Sequence, residues 1–95
     1  MNDSEILALL KQDLQKMSKS DDRYLKQLIE FSRKQIESEG ISLDKSLESS
    51  MLIEQYAAYL FRKRGSDNAA MPRFLRFALN NKKLNQHGGG EDDNI

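Results

Sequence analysis

Few residues in this chain could do chemistry. The sole histidine, His87, stands beside Gly88, Gly89 and Gly90 with no apolar residue near it to fix its position. A general base has to be held rigidly, so His87 is expected to be inert. Asp21 and Asp22 are adjacent, which points them in different directions on a helix, and negative charge at a helix start explains them without a metal. The "GGG" run is not placed between a strand and a helix and makes no phosphate loop. No catalytic residue, metal ligand or cofactor is expected. The remaining feature is cation density: Arg62, Lys63 and Arg64, then Arg73, Arg76 and Lys83. Such a set can pair with carboxylates on a neighbouring protein, neutralise phosphates, or simply be solvated. Base reading is not indicated, because the set lacks suitably spaced amides and the pI is only about 6.6.

The charge is unevenly distributed although the 95 residues sum to zero. Residues 1–60 carry 8 Lys/Arg against 11 Asp/Glu, and residues 61–90 carry 7 against one. The last five add three acids, giving an acidic body, a basic segment and an acidic tip. Mean hydropathy is −0.73 with 38% hydrophobic residues, lean for one self-sufficient domain, so a partner or self-association is expected to share in stability. Without cysteine there are no disulfides or thiolate metal sites. No apolar run could span a membrane, and "MNDSEILALLKQ" lacks a signal peptide's basic start, so a cytosolic chain without membrane contact is expected.

Four helices must position these residues. "NDSEILALLKQDLQKM" predicts the first, capped by Asp3 or Ser4, with Ile6, Leu7, Leu10, Leu14 and Met17 in one stripe. Ser20 is expected to cap the second, whose inner face is Leu25, Leu28, Ile29 and Ile36, widened by Tyr24 and Phe31, and which Gly40 ends. After "ISLDKS", a third helix is expected from about Asp44 or Ser46 to Arg64. Between Met51 and Phe61 only Glu54 and Gln55 are polar, which makes this helix the centre and places Tyr56 and Leu60 in the core. Gly65 terminates it and "SDNAAM" forms a loop. Pro72 suits the first position of a fourth helix reaching about Leu84, with Phe74, Leu75, Phe77, Ala78 and Leu79 on its apolar side. Arg73, Arg76, Asn80 and Lys83 make a separate stripe. The expected fold is an all-α bundle of about four helices over residues 1–86, with 87–95 a disordered tail.

The order of these features resembles the small head–tail connector (adaptor) proteins of long-tailed bacteriophages and prophages, often labelled DNA-packaging proteins. It is carried by Asp21, Asp22, Leu28 and Ile29; by Tyr56, Tyr59 and Arg62; and by Pro72, Leu75, Leu79 and Lys83, over about residues 3–85. The resemblance implies a structural subunit, not an enzyme, made in the host bacterial cytoplasm and placed at the virion head–tail junction. It implies a homo-oligomeric ring joining the portal protein of the filled capsid to a tail-completion protein, around a channel with nonspecific contact to passing DNA. The cations at 62–64, 73, 76 and 83 would then serve docking or face that channel. The alternative is a small helical DNA-binding or regulatory protein.

Overall fold

The chain starts with a reciprocal cap. The Asn2 side chain accepts from the Glu5 backbone N–H at 2.8 Å, and the Glu5 carboxylate accepts from the Asn2 N–H at 2.9 Å. Two otherwise orphaned donors are satisfied, so helix α1 (Asp3–Leu14) is capped by Asn2 rather than by Asp3 or Ser4. The computed structural model describes residues 1–15, 18–65 and 70–92, apart from the side chains of 87–92. Met17, most of the "SDNAAM" loop and the side chains of the tail expected over 87–95 lie outside these residues.

A single 3-10 turn, Lys19–Asp21, leads into α2 (Asp22–Ser38). Ser18 caps this turn, accepting from the Ser20 N–H at 3.1 Å, and the residue ahead of α2 is Asp21, without a side-chain cap bond, rather than Ser20. Asp22 is in the first turn of α2, where it meets Lys11 of α1 at 2.7 Å. Gly40 follows α2 with φ 89°, a conformation that costs glycine little, and its N–H reaches the Glu37 carbonyl at 3.0 Å. Ser46 caps α3 (Leu47–Lys63), accepting from the Ser49 N–H at 3.2 Å. Asp44 supports that cap, accepting from the Ser46 N–H at 2.9 Å and from the Ser49 hydroxyl at 2.8 Å. These bonds favour its charged form and hold its pKa well below the usual carboxylate range. Pro72 stands one position ahead of α4 (Arg73–Asp92), its carbonyl accepting from the Leu75 and Arg76 N–H groups. The α4 backbone runs beyond the Leu84 end that apolar spacing suggests.

The fold is all-α, with four helices and no strand among the described residues. Its core takes Ile6 and Leu10 from α1, Leu25, Ile29 and Ile36 from α2, and Leu52, Ile53 and Tyr56 from α3. Ile41, Leu75 and Leu79 complete it. Burying each such leucine or isoleucine contributes about 1.5–3 kcal/mol. Ser32, Ser49, Ala57 and Ala58 are also buried, and their small side chains let the helices approach. Ser32 satisfies its hydroxyl by donating to the Leu28 carbonyl at 2.6 Å. Helix α3 packs against α1, α2 and α4, so it is the centre that its apolar composition suggests.

The core placement of Phe31, Leu60, Phe74 and Phe77 needs correction. Phe31 is 49% exposed, because it lies roughly 200° around the helix from Ile29. Leu60, expected in the core, is half-buried at its margin, whereas Leu28 packs against the core from the inner face of α2 as its spacing suggests. Phe74 and Phe77 turn outward from the α3 contact made by Leu75 and Leu79.

Candidate assembly face

Helix α4 packs chiefly on α3 and runs antiparallel to it. Lys82 reaches back to Glu48 at 3.2 Å, near the start of α3. Beyond it, the Gln86 side chain accepts from the Ser42 N–H at 2.7 Å and donates to the Ser42 carbonyl at 2.8 Å. Leu75, Leu79, Lys82 and Gln86 therefore share one line of the helix at spacings of four, three and four, and that line faces the body. At about 100° per residue, Phe77 stands roughly 200° from Leu75, and Leu84 roughly 180°. One neighbour cannot receive 74, 75, 77, 78 and 79 together. Leu75 and Leu79 are buried, Ala78 is half-buried, and Phe74, Phe77 and Leu84 are 59%, 57% and 64% exposed.

The cations form two groups. Arg73, Arg76 and Lys83 are exposed on α4, on the polar stripe bordering Phe77 and Leu84. The three at the end of α3 are engaged within the chain. Arg62 pairs with Asp13 of α1 at 3.2 Å. Arg64 lies over Phe61 at 4.1 Å and over Tyr24 at 4.9 Å, while the Tyr24 and Phe61 rings pack in a tilted pair with centroids 6.2 Å apart. Lys63 stands 5.7 Å from the Tyr59 ring. Cation–π contacts of this kind fasten the end of α3 to α2. The six cations picked out by sequence are thus a structural trio on α3 and a solvent-facing trio on α4. Spacing identified the second trio, whereas the phenylalanines beside it were assigned to the core. Testing their angle against Leu75 and Leu79 separates the two faces.

Glu54 is a second feature that the sequence does not announce. It is 4% exposed, and its Oε2 is buried without a hydrogen-bond partner. Burial, followed by a hydrogen bond and charge repulsion from Asp13, pushes its pKa up to about 8, against the opposing pull of Arg62. Burial beside Asp13 therefore favours the protonated form of Glu54, while Arg62 pairs with Asp13 from the other side. This cluster ties α1 to α3.

Among the described residues no group of three or more His, Cys, Asp or Glu could hold a metal ion, and no helix is long and apolar enough to cross a membrane. Comparison with protein-family models, with curated proteins and with solved structures returned no match to this chain.

Proposed function

We propose that this chain is a self-assembling structural subunit of the head–tail connector (adaptor) kind. It would form a ring joining the portal protein of a DNA-filled phage capsid to a tail-completion protein, with α4 as the arm that docks on a neighbouring copy. The observation carrying this reading is the outer face of α4. Phe74, Phe77 and Leu84 are each more than half exposed on a helix already anchored through Leu75 and Leu79. Exposed apolar side chains in a row, bordered by cations, are the usual composition of a docking surface. The order of elements and the acidic-body, basic-segment division support the same reading.

The test is a charge reversal. Arg73→Glu with Arg76→Glu should leave the helical circular dichroism signal unchanged, because both side chains are exposed and surface charges contribute little to stability. It should also return the oligomer mass measured by light scattering towards the 11.0 kDa of one chain. Duplex DNA binding at two salt concentrations provides the contrast. Normal assembly with lost DNA affinity and a flattened salt dependence would overturn the docking role and favour the DNA-contact reading.

A further inference from the structure

The outer face of α4 requires an apolar surface for Phe74 and Phe77 and carboxylates for Arg73 and Arg76. A second α4 does not meet this need, since pairing two such faces sets Arg73, Arg76 and Lys83 against the same cations. A cleft at the opposite end of the molecule does. It has a volume of about 640 Å³ and lies between the start of α1, the last turns of α2 and the connector into α3. Met1, Ile6, Leu43 and Ile53 contribute its apolar lining, and Asp3, Glu5, Glu37 and Asp44 its carboxylates. Arg33, Lys45 and the Met1 amino group are the opposing charges. Arg33 is already held by Asp3 at 2.6 Å and Glu30 at 3.0 Å, and Met1 N donates to the Lys45 carbonyl at 3.3 Å. Glu37 is exposed on this rim.

Position makes the match intermolecular. The cleft lies at the α3 start, whereas Phe74 and Phe77 lie towards the α3 end, because α4 runs antiparallel to α3 in a molecule 53 Å long. The Phe74–Phe77 end of a chain's own α4 is therefore remote from its own cleft. We propose that the occupant is a second copy of this chain: Phe74 and Phe77 of one copy enter the Met1–Ile6–Leu43–Ile53 cleft of the next, and Arg73 and Arg76 face the exposed Glu37 on its rim. This rests on the assembly reading above and adds the acceptor. The contact is head to tail, so it propagates from copy to copy and closes into a ring where the rotation allows.

Two variants test it. Phe74→Ser with Phe77→Ser removes the donor, and Glu37→Lys with Leu43→Arg blocks the acceptor. Circular dichroism checks that both fold, and light scattering reads mass across a concentration series. Each variant alone should remain at 11.0 kDa, while an equimolar mixture, with one intact donor meeting one intact acceptor, should reach twice that mass and grow no further. If the acceptor variant associates like wild type while the donor variant does not, the cleft is not the acceptor, and the assembly reading survives without this inference. A mixture that stays at the single-chain mass overturns head-to-tail docking. Wild type that stays at 11.0 kDa at every concentration overturns both readings. Should Leu43→Arg unfold the chain, Glu37→Arg mixed with Arg76→Glu poses the same question through charge alone: association recovered in the mixture supports the contact, and none recovered contradicts it.

Discussion

Glu54 shows how one side chain can set the pH response of this fold. Its folded-state pKa, pushed up to about 8, exceeds the ordinary value of 4.5, so between these two pH values the folded chain binds a proton that the unfolded chain has released. Stability attributable to this group therefore falls as pH rises through that window and levels off above it. Glu54→Gln keeps the shape and a donor for Asp13 without an ionisable proton. Thermal melts from about pH 5 to about pH 9 should show wild type losing melting temperature across the window, and Glu54→Gln losing less and melting higher at the alkaline end. Parallel curves would mean that Glu54 is ionised and solvated. Spacing does not reveal its burial, because its partner Asp13 lies on another helix. Only packing α1 against α3 shows that Asp13 and Glu54 meet.

Helix α4 has a buried face and an exposed apolar face, and paired truncations separate them. Leu75→Ala removes a side chain that is 0% exposed and should cost about 2–5 kcal/mol in denaturant unfolding of the single chain. Phe77→Ala, at a residue 57% exposed, should leave single-chain stability within about 0.5 kcal/mol and show its effect in association. Equal costs would place Phe77 in the core and remove the assembly face. Much at this scale was legible from residue type and spacing. Ile6, Leu10, Leu25, Ile29 and Ile36 follow helical periods, Gly40 ends α2, and Ser46 caps α3. The errors have a common cause. Phe31, Phe74 and Phe77 are strongly apolar, but side-chain type does not say which of two sides a neighbouring helix will cover. The caps of α1 and α2 fall at Asn2 and Asp21, one or two residues from Asp3, Ser4 and Ser20, because several adjacent polar residues could serve at each start. Of the candidate site, the exposed cations on α4 were legible. The internal roles of Arg62 and Arg64 were not, since their partners Asp13 and Tyr24 lie on other helices.

Taken whole, the molecule has three helices that share a core and a fourth laid along one of them, with extents of 53 × 31 × 18 Å. Its lean apolar composition is consistent with that arrangement, because part of what it has, Phe74, Phe77 and Leu84, is spent on the surface of the single chain. Phe74, Phe77, Arg73 and Arg76 lie at the end away from the cleft, an asymmetry that the proposed head-to-tail assembly requires. Electron microscopy of the concentrated protein tests this most directly. Closed rings of many copies around an open channel are the expected result, whereas fields containing only particles of one 11.0 kDa chain would contradict it.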